Sequence, residues 1–210
     1  MNTVGYVKEL YPEIDLVYLI DRPNAPYGIK SEKELIRLAE RNIDELTDRG
    51  AERVLIACCT ASTVYTKISK RHRELSIPII SPVADAARRA TKTGSIGVIA
   101  TRRTVASHAF GRAMPEMRVS ELAVQELVAM IDGGVNDSTV GEGEILTLKG
   151  ILSPLFGKNI DTLVLGCTHF PSLISTFHTI LAPLGVKSII DSARIGADEL
   201  ARVTCRSRSA

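Results

Sequence analysis

Two stretches of the chain carry one pattern of apolar and polar positions. Val54-Leu55-Ile56-Ala57-Cys58-Cys59-Thr60-Ala61-Ser62 and Leu163-Val164-Leu165-Gly166-Cys167-Thr168-His169-Phe170-Pro171 each begin with an uncharged apolar run. Each then passes through a small residue to a cysteine, hydroxyl side chains and a helix-like segment. A short continuous apolar run of this kind suits a strand buried on both faces, as in a parallel sheet. The cysteine then falls where strand gives way to helix, outside the carboxyl edge of the sheet, where open α/β sheets place ligands. Two such cysteines, one in each half of the chain, predict two thiols facing one cleft.

The remaining periodicity fills in the elements around them. Residues 3–10 read as a helix closed by Pro12, and Leu16-Val17-Tyr18-Leu19-Ile20 as a strand ending at Asp21. Residues 22–28 are a loop dense in turn formers. Ser31 with Glu34 three positions later is a capping-box pattern, and Leu35, Ile43 and Leu46 continue as an amphipathic helix that Arg49-Gly50 ends. After Cys58 a helix is expected over about 60–74. A short strand at 77–80 follows, with Pro82 starting a connection into a helix over 84–90. Ile96-Gly97-Val98-Ile99-Ala100 reads as another buried strand, with Thr101-Arg102-Arg103-Thr104 at its carboxyl end. A strand over 117–123, a helix over 125–131, a break at Gly133-Gly134, a loop over 135–143 and a helix over about 144–155 lead to the second cysteine strand. A helix near 172–182, the strand Ser188-Ile189-Ile190 and a final helix from about Ser192 complete the chain.

Strands alternating with helices imply an α/β fold with a mostly parallel sheet covered on both faces. The two cysteine strands sit in successive βαβ runs of similar size. The expected architecture is two pseudo-symmetric, flavodoxin-like halves with parallel sheets and an active-site cleft between them. Residues 1–82 form the first half, 83–190 the second, and 191–210 return to the first.

Composition narrows the partners. Charged residues make up 24% of the 210 and hydrophobic residues 45%, ordinary values for a globular protein, and the formal net charge is +2 with the basic residues scattered. Only Arg202, Arg206 and Arg208 gather, in a tail that reads as frayed surface, so nucleic acid is not expected as a partner. No apolar run approaches the roughly 18 residues that span a bilayer, and no signal-peptide pattern opens the chain. Four cysteines, Cys58, Cys59, Cys167 and Cys205, are too few and too unevenly placed for a secreted disulfide scaffold. A cytoplasmic location, with the cysteines reduced, is the expectation.

A lone cysteine is usually an inert small hydrophobe. Cys58 and Cys167 differ because a cysteine at a helix N-terminus meets the helix dipole and unpaired amides, which are expected to lower its pKa. Thr60 and Thr168 add hydroxyls suited to holding a carboxylate at the same spot. Cys59 should face away from Cys58, since adjacent strand residues point to opposite faces. A zinc site of Cys58, Cys59, Cys167 and His169 lacks the usual two-to-four-residue ligand spacing, so no metal is expected. His72 and His178 read as surface residues on helices. His169, two residues after Cys167, is within reach of orienting or protonating a group there.

Four segments then carry a resemblance. Ala25-Pro26-Tyr27-Gly28-Ile29-Lys30-Ser31, Ile56-Ala57-Cys58-Cys59-Thr60-Ala61-Ser62 and Leu165-Gly166-Cys167-Thr168-His169-Phe170-Pro171 resemble three hallmark motifs of glutamate racemases, and Ile96-Gly97-Val98-Ile99-Ala100-Thr101-Arg102-Arg103-Thr104-Val105 resembles a fourth. They occur in the family's order. The resemblance implies a cofactor-independent amino-acid racemase, probing both faces of Cα with two thiols and supplying D-glutamate for peptidoglycan, and a homodimer. It implies that Cys58 deprotonates one enantiomer and Cys167 the other, that His169 assists Cys167, and that Asp132 stands where the family carries a glutamate near that histidine. Pro26, Tyr27, Gly28, Thr60, Thr101, Thr104 and Thr168 match positions that hold the substrate's carboxylates and ammonium.

The chain also departs from the pattern. It begins at Met1-Asn2-Thr3-Val4, past the strand and Asp-Ser pair with which family members open. Cys59 replaces an asparagine that helps bind substrate, Ile29 a small hydroxyl residue, and Arg103 a common glycine. Three readings follow: a glutamate racemase, a related racemase or isomerase for another small acid such as aspartate, or an inactive binding or regulatory homologue.

Overall fold

Ser31 starts the longest described helix with a complete capping box. Its hydroxyl accepts the Glu34 amide, and the Glu34 carboxylate accepts the Ser31 amide in return. The helix buries Leu35, Leu38, Ala39 and Ile43 and leaves its charges outside, as the 3.6-residue spacing dictates. The computed structural model describes residues 2–207, with side chains through Cys205. Arg208 and the Arg206 side chain, and with them most of the expected basic tail, lie outside the described residues.

In chain order the elements are α1 (Thr3–Leu10), α2 (Glu32–Asp48), β1 (Val54–Ile56), α3 (Cys59–Ser62), α4 (Lys70–Leu75), β2 (Ser76–Pro78), α5 (Ile80–Ala90), β3 (Ser95–Ala100), α6 (Arg102–Ala106), α7 (Ala109–Ala113), β4 (Arg118–Ala123), α8 (Gln125–Asp132), α9 (Glu142–Leu152), β5 (Thr162–Gly166), α10 (Ile174–Leu181), β6 (Ser188–Asp191) and α11 (Ser192–Ser207). Every strand pair is parallel, with β1 beside β2 and a second sheet in the order β4-β3-β5-β6. The fold is α/β with parallel sheets in two halves.

The second sheet is covered on both faces, which explains its uncharged strands. Ile96, Val98, Ala100 and Val164 face Ile80, Val83, Ala84 and Ala87 of α5 and Phe110 and Met114. The alternate residues Ile99, Leu163 and Leu165 face α8, α9 and α10 through Leu127, Leu148, Leu152 and Phe177. Each Val, Leu, Ile, Phe or Met side chain among them stabilises the fold by about 1.5–3 kcal/mol relative to exposure. The first sheet packs differently. Val54 and Ile56 lie under α2, while Ile77 packs with Val7 of α1 and Ala197 and Leu200 of α11. Tyr6 donates to Asp191 at 2.7 Å and Tyr11 to Asp198 at 2.6 Å, tying α1 to the end of the chain.

Four expectations need correction. The segment Leu16-Val17-Tyr18-Leu19-Ile20 is not a strand: it pairs with neither described sheet and leaves Val17, Tyr18 and Ile20 exposed. An apolar run supplies strand propensity, but a strand also requires a neighbouring edge. The helix expected over 60–74 is interrupted. Ile68 is extended, and Ser69 caps a new helix by accepting the His72 amide. The strand at 77–80 ends at Pro78, and α5 begins at Ile80 with Pro82 inside its first turn, where no amide donor is required. His72 is buried, not a surface residue. Its ring lies 2.6 Å from the Ser69 hydroxyl and 3.0 Å from Asp44, so its polar atoms are paired inside the fold. His178 is exposed as expected.

Candidate active site

Parallel register brings several candidates to one edge. Ala100 of β3 pairs with Ala123 of β4 and with Gly166 of β5. Thr101, Gln125 and Cys167 therefore emerge one or two residues beyond aligned strand ends, at the carboxyl edge of one sheet. Gly166 permits this crowding, because a Cβ there would sit 2.9 Å from the Ile99 carbonyl oxygen and 3.0 Å from Ala100 Cβ. Cys58 reaches the same region from β1, as the residue preceding α3.

The two thiols share one electrostatic environment. The charge of Cys58 acts on Cys167, and both act on Cys59. Burial pushes the Cys167 thiol up to about 12, against the His169 backbone amide, which favours the thiolate. Burial also raises Cys58, opposed by the Ala61 and Thr60 amides and the Thr60 hydroxyl. The helix-end amides act in the expected direction, but α3 has only four residues and desolvation outweighs them. The expected lowering of both thiol pKa values is thus corrected: both are held protonated at rest.

Cys167 has a partner chain of its own. His169 Nδ1 lies 3.5 Å from Cys167 Sγ, and His169 Nε2 lies 3.5 Å from Asp132 Oδ1. Asp132 closes α8, so the helix after β4 delivers the carboxylate to the histidine that follows β5. With Nε2–H directed at Asp132, Nδ1 is left as an acceptor for the thiol proton.

A second cluster consists of hydroxyls. Thr60, Thr101 and Thr104 form a buried triangle with oxygen separations of 2.9, 3.2 and 3.0 Å. It joins the start of α3 to the start of α6, and hence the two halves. Gly28 is buried against Thr101, while Pro26 is exposed. Tyr27 donates to Asp21 at 2.6 Å and accepts from Asn42, and burial with the Asp21 carboxylate drives its phenol well above the usual range. Tyr27 and Cys58 pack against the same apolar cluster in the first half. Thr168 is half-buried between Cys167 and His169.

Cys59 turns inward. It is 1% exposed and packs with Ile79, Val83 and Val164, its thiol beside the Ser192 hydroxyl. Ile29 is 65% exposed. Arg103 donates to Glu32, which also pairs with Lys67, so the replacement of glycine adds a contact between α6 and α2. Among the described residues no group of three or more His, Cys, Asp or Glu side chains is placed to hold a metal ion. Gln125 and Ser192 escaped the sequence reading. Only strand register, which puts both just beyond a paired strand end, could have found them.

The Asp/Glu/hydantoin racemase family model matches residues 5–200. This chain belongs to that family. It is 33% identical over 209 residues to a glutamate racemase of Lactobacillus acidophilus, a match covering 97% of this chain and 75% of that protein. Among solved structures, a glutamate racemase isoform of Bacillus anthracis superposes with a TM-score of 0.87 at 29% identity, covering 98% of this chain and 77% of that one. The Francisella tularensis glutamate racemase in complex with D-glutamate gives 0.85 at 27% identity, covering 98% and 77%. No described helix is long and apolar enough to cross a membrane.

Proposed function

We propose that this chain is an isomerase that interconverts L- and D-glutamate by moving the Cα proton between two thiols, Cys58 and Cys167. The observation that carries the reading is the pair of cysteines that each follow a parallel strand, Cys58 beyond β1 and Cys167 beyond β5, in a family member whose relatives are glutamate racemases. A proton taken from one face of Cα and returned to the other needs an acid/base on each side. One thiol must be ionised and the other protonated in each direction, and the roles exchange after one turnover.

Burial supplies the protonated partner without further help. Ionising the other is the harder task. His169, oriented by Asp132, accepts the Cys167 proton through Nδ1, while at Cys58 the Thr60 hydroxyl and the Thr60 and Ala61 amides stabilise the thiolate. Thr60, Thr101, Thr104 and Thr168, with the Pro26-Tyr27-Gly28 turn, hold the substrate's carboxylates and ammonium. We read residues 1–82, with 191–210 returning to them, as one half and 83–190 as the other. The packing of α11 on α1 and Ile77 supports that division. A cytoplasmic homodimer supplying D-glutamate for peptidoglycan completes the proposal.

Proton NMR in heavy water tests it. Incubation with L- or D-glutamate should erase the Cα proton signal, and Cys58→Ala should abolish that exchange. A folded chain that exchanges aspartate and not glutamate would move the activity to the other acid. A folded chain that exchanges neither would remove the catalytic reading.

A further inference from the structure

We infer that Gln125 is a substrate-binding residue whose carboxamide nitrogen donates a hydrogen bond to a carboxylate of the bound amino acid. The inference deepens the racemase reading and rests on it. Gln125 opens α8 two residues beyond Ala123, whose partner Ala100 precedes Thr101 by one residue. The side chain therefore stands at the sheet edge that carries Thr101 and Cys167.

Its contacts define its orientation. A Cβ built on Gly28 would lie 2.3 Å from Gln125 Oε1, 3.0 Å from Gln125 Cδ and 2.8 Å from Thr101 Cβ. The carboxamide thus lies across Gly28 beside the threonine triangle, and glycine is what lets it approach. Oε1 is sealed in this contact without a hydrogen-bond partner, and the carboxamide makes no hydrogen bond to any described residue. A carbonyl oxygen tolerates a sealed place against Cα hydrogens, which are weak donors, better than an NH2 group does. The nitrogen accordingly occupies the other side. It is not among the sealed polar atoms, and Gln125 as a whole is only half-buried.

A donor held at this edge with no described residue to bond matches the chemistry of an anionic ligand. A dicarboxylic amino acid brings up to four carboxylate oxygens, more acceptors than the neighbouring hydroxyls can serve, because Thr60, Thr101 and Thr104 already bond one another. Gln125 supplies a neutral donor there without adding a cation that would alter the thiols.

Calorimetric titration of D-glutamate into the full chain, alongside melting temperature, tests the assignment. Gln125→Met keeps the length and removes the donor, so binding should weaken by about tenfold, as for a hydrogen bond to a charged group. The melting temperature without ligand should stay level or rise, because an unpaired sealed oxygen is removed. Gln125→Glu sets an anion against the carboxylate and should weaken binding further, by roughly a hundredfold. Parental affinity in both variants would overturn the assignment. So would equal weakening in both accompanied by a lower melting temperature, the mark of a packing role. A parent that binds glutamate without exchanging its Cα proton would refute the racemase reading while leaving this contact measurable; a parent that binds none would refute both.

Discussion

His169 stands between Cys167 and Asp132, with Nδ1 3.5 Å from the sulfur and Nε2 3.5 Å from the carboxylate. Cys58 has no such histidine; its helpers are the Thr60 hydroxyl and the amides of Thr60 and Ala61. In the proposed mechanism the two thiols are therefore inequivalent. His169→Asn should slow proton abstraction by Cys167 on the order of a hundredfold and abstraction by Cys58 far less. Initial rates from each enantiomer, read by circular dichroism, check this. Equal slowing in both directions would make His169 a structural residue.

Each thiol is expected to be indispensable to net racemisation. Cys58→Ala and Cys167→Ala should each lower turnover by about 10²–10⁴-fold, the usual contribution of a positioned proton-transfer group. Because Cys167 is packed in the apolar cluster and Cys58 is half-buried, both variants should fold. Wild-type turnover in either would end the two-thiol mechanism.

The threonine triangle is expected to join binding to stability. In Thr104→Val a shape is kept while Thr60 and Thr101 each lose a buried partner. A loss of about 1–2 kcal/mol is expected in urea unfolding. KM for glutamate should rise as the hydroxyls at the mouth of the two halves lose their arrangement. A stable variant with unchanged KM would separate the triangle from the substrate.

Alkaline stability should carry the signature of Cys167. Its pKa in the fold is raised from 9.0 to about 12 by burial, so the folded state keeps a proton that the unfolded chain releases. That contribution is intact below about pH 9 and is lost as pH rises towards about 12. Tyr6, raised to about 12 by burial and the Asp191 carboxylate, acts the same way from pH 10.0 upward. Urea midpoints at pH 8 and pH 10.5 should therefore differ less in Cys167→Ala than in the parent. An identical difference would mean that the thiol is already ionised in the fold.

Asp161 shows the opposite sign. Although desolvation opposes it, the Thr91 and Thr162 hydroxyls and the Lys92 and Thr93 amides hold its carboxyl far below the usual range. Its stabilisation is present above the ordinary carboxylate pKa and is lost as pH falls. Asp161→Asn should flatten acid destabilisation between about pH 4 and pH 2 while lowering stability at pH 7. A parent-like acid limb in the variant would contradict the assignment.

Much of this protein was legible in residue order. The uncharged runs at 54–56, 96–100 and 162–166 form strands as their pattern predicts, and the Ser31–Glu34 box placed the start of α2. The motif residues named Cys58, Cys167, His169 and the threonines, because cysteine, histidine and hydroxyl side chains keep their chemistry wherever they are placed. Segment 16–20 misled the reading because apolar content alone does not create a neighbouring edge. The thiol pKa values misled it because the amides at a helix start are local, whereas desolvation is set by everything packed around the sulfur.

The sequence by itself thus determined which groups can exchange a proton and that strands would carry them to a sheet edge. Tertiary structure alone decided the rest: that Asp132 meets His169, that Thr60 meets Thr104 across the two halves, and that Gln125 lies over Gly28. Those pairs are 37, 44 and 97 positions apart, and the packing of loops and helix ends at the strands' carboxyl edges, not local spacing, brings them together.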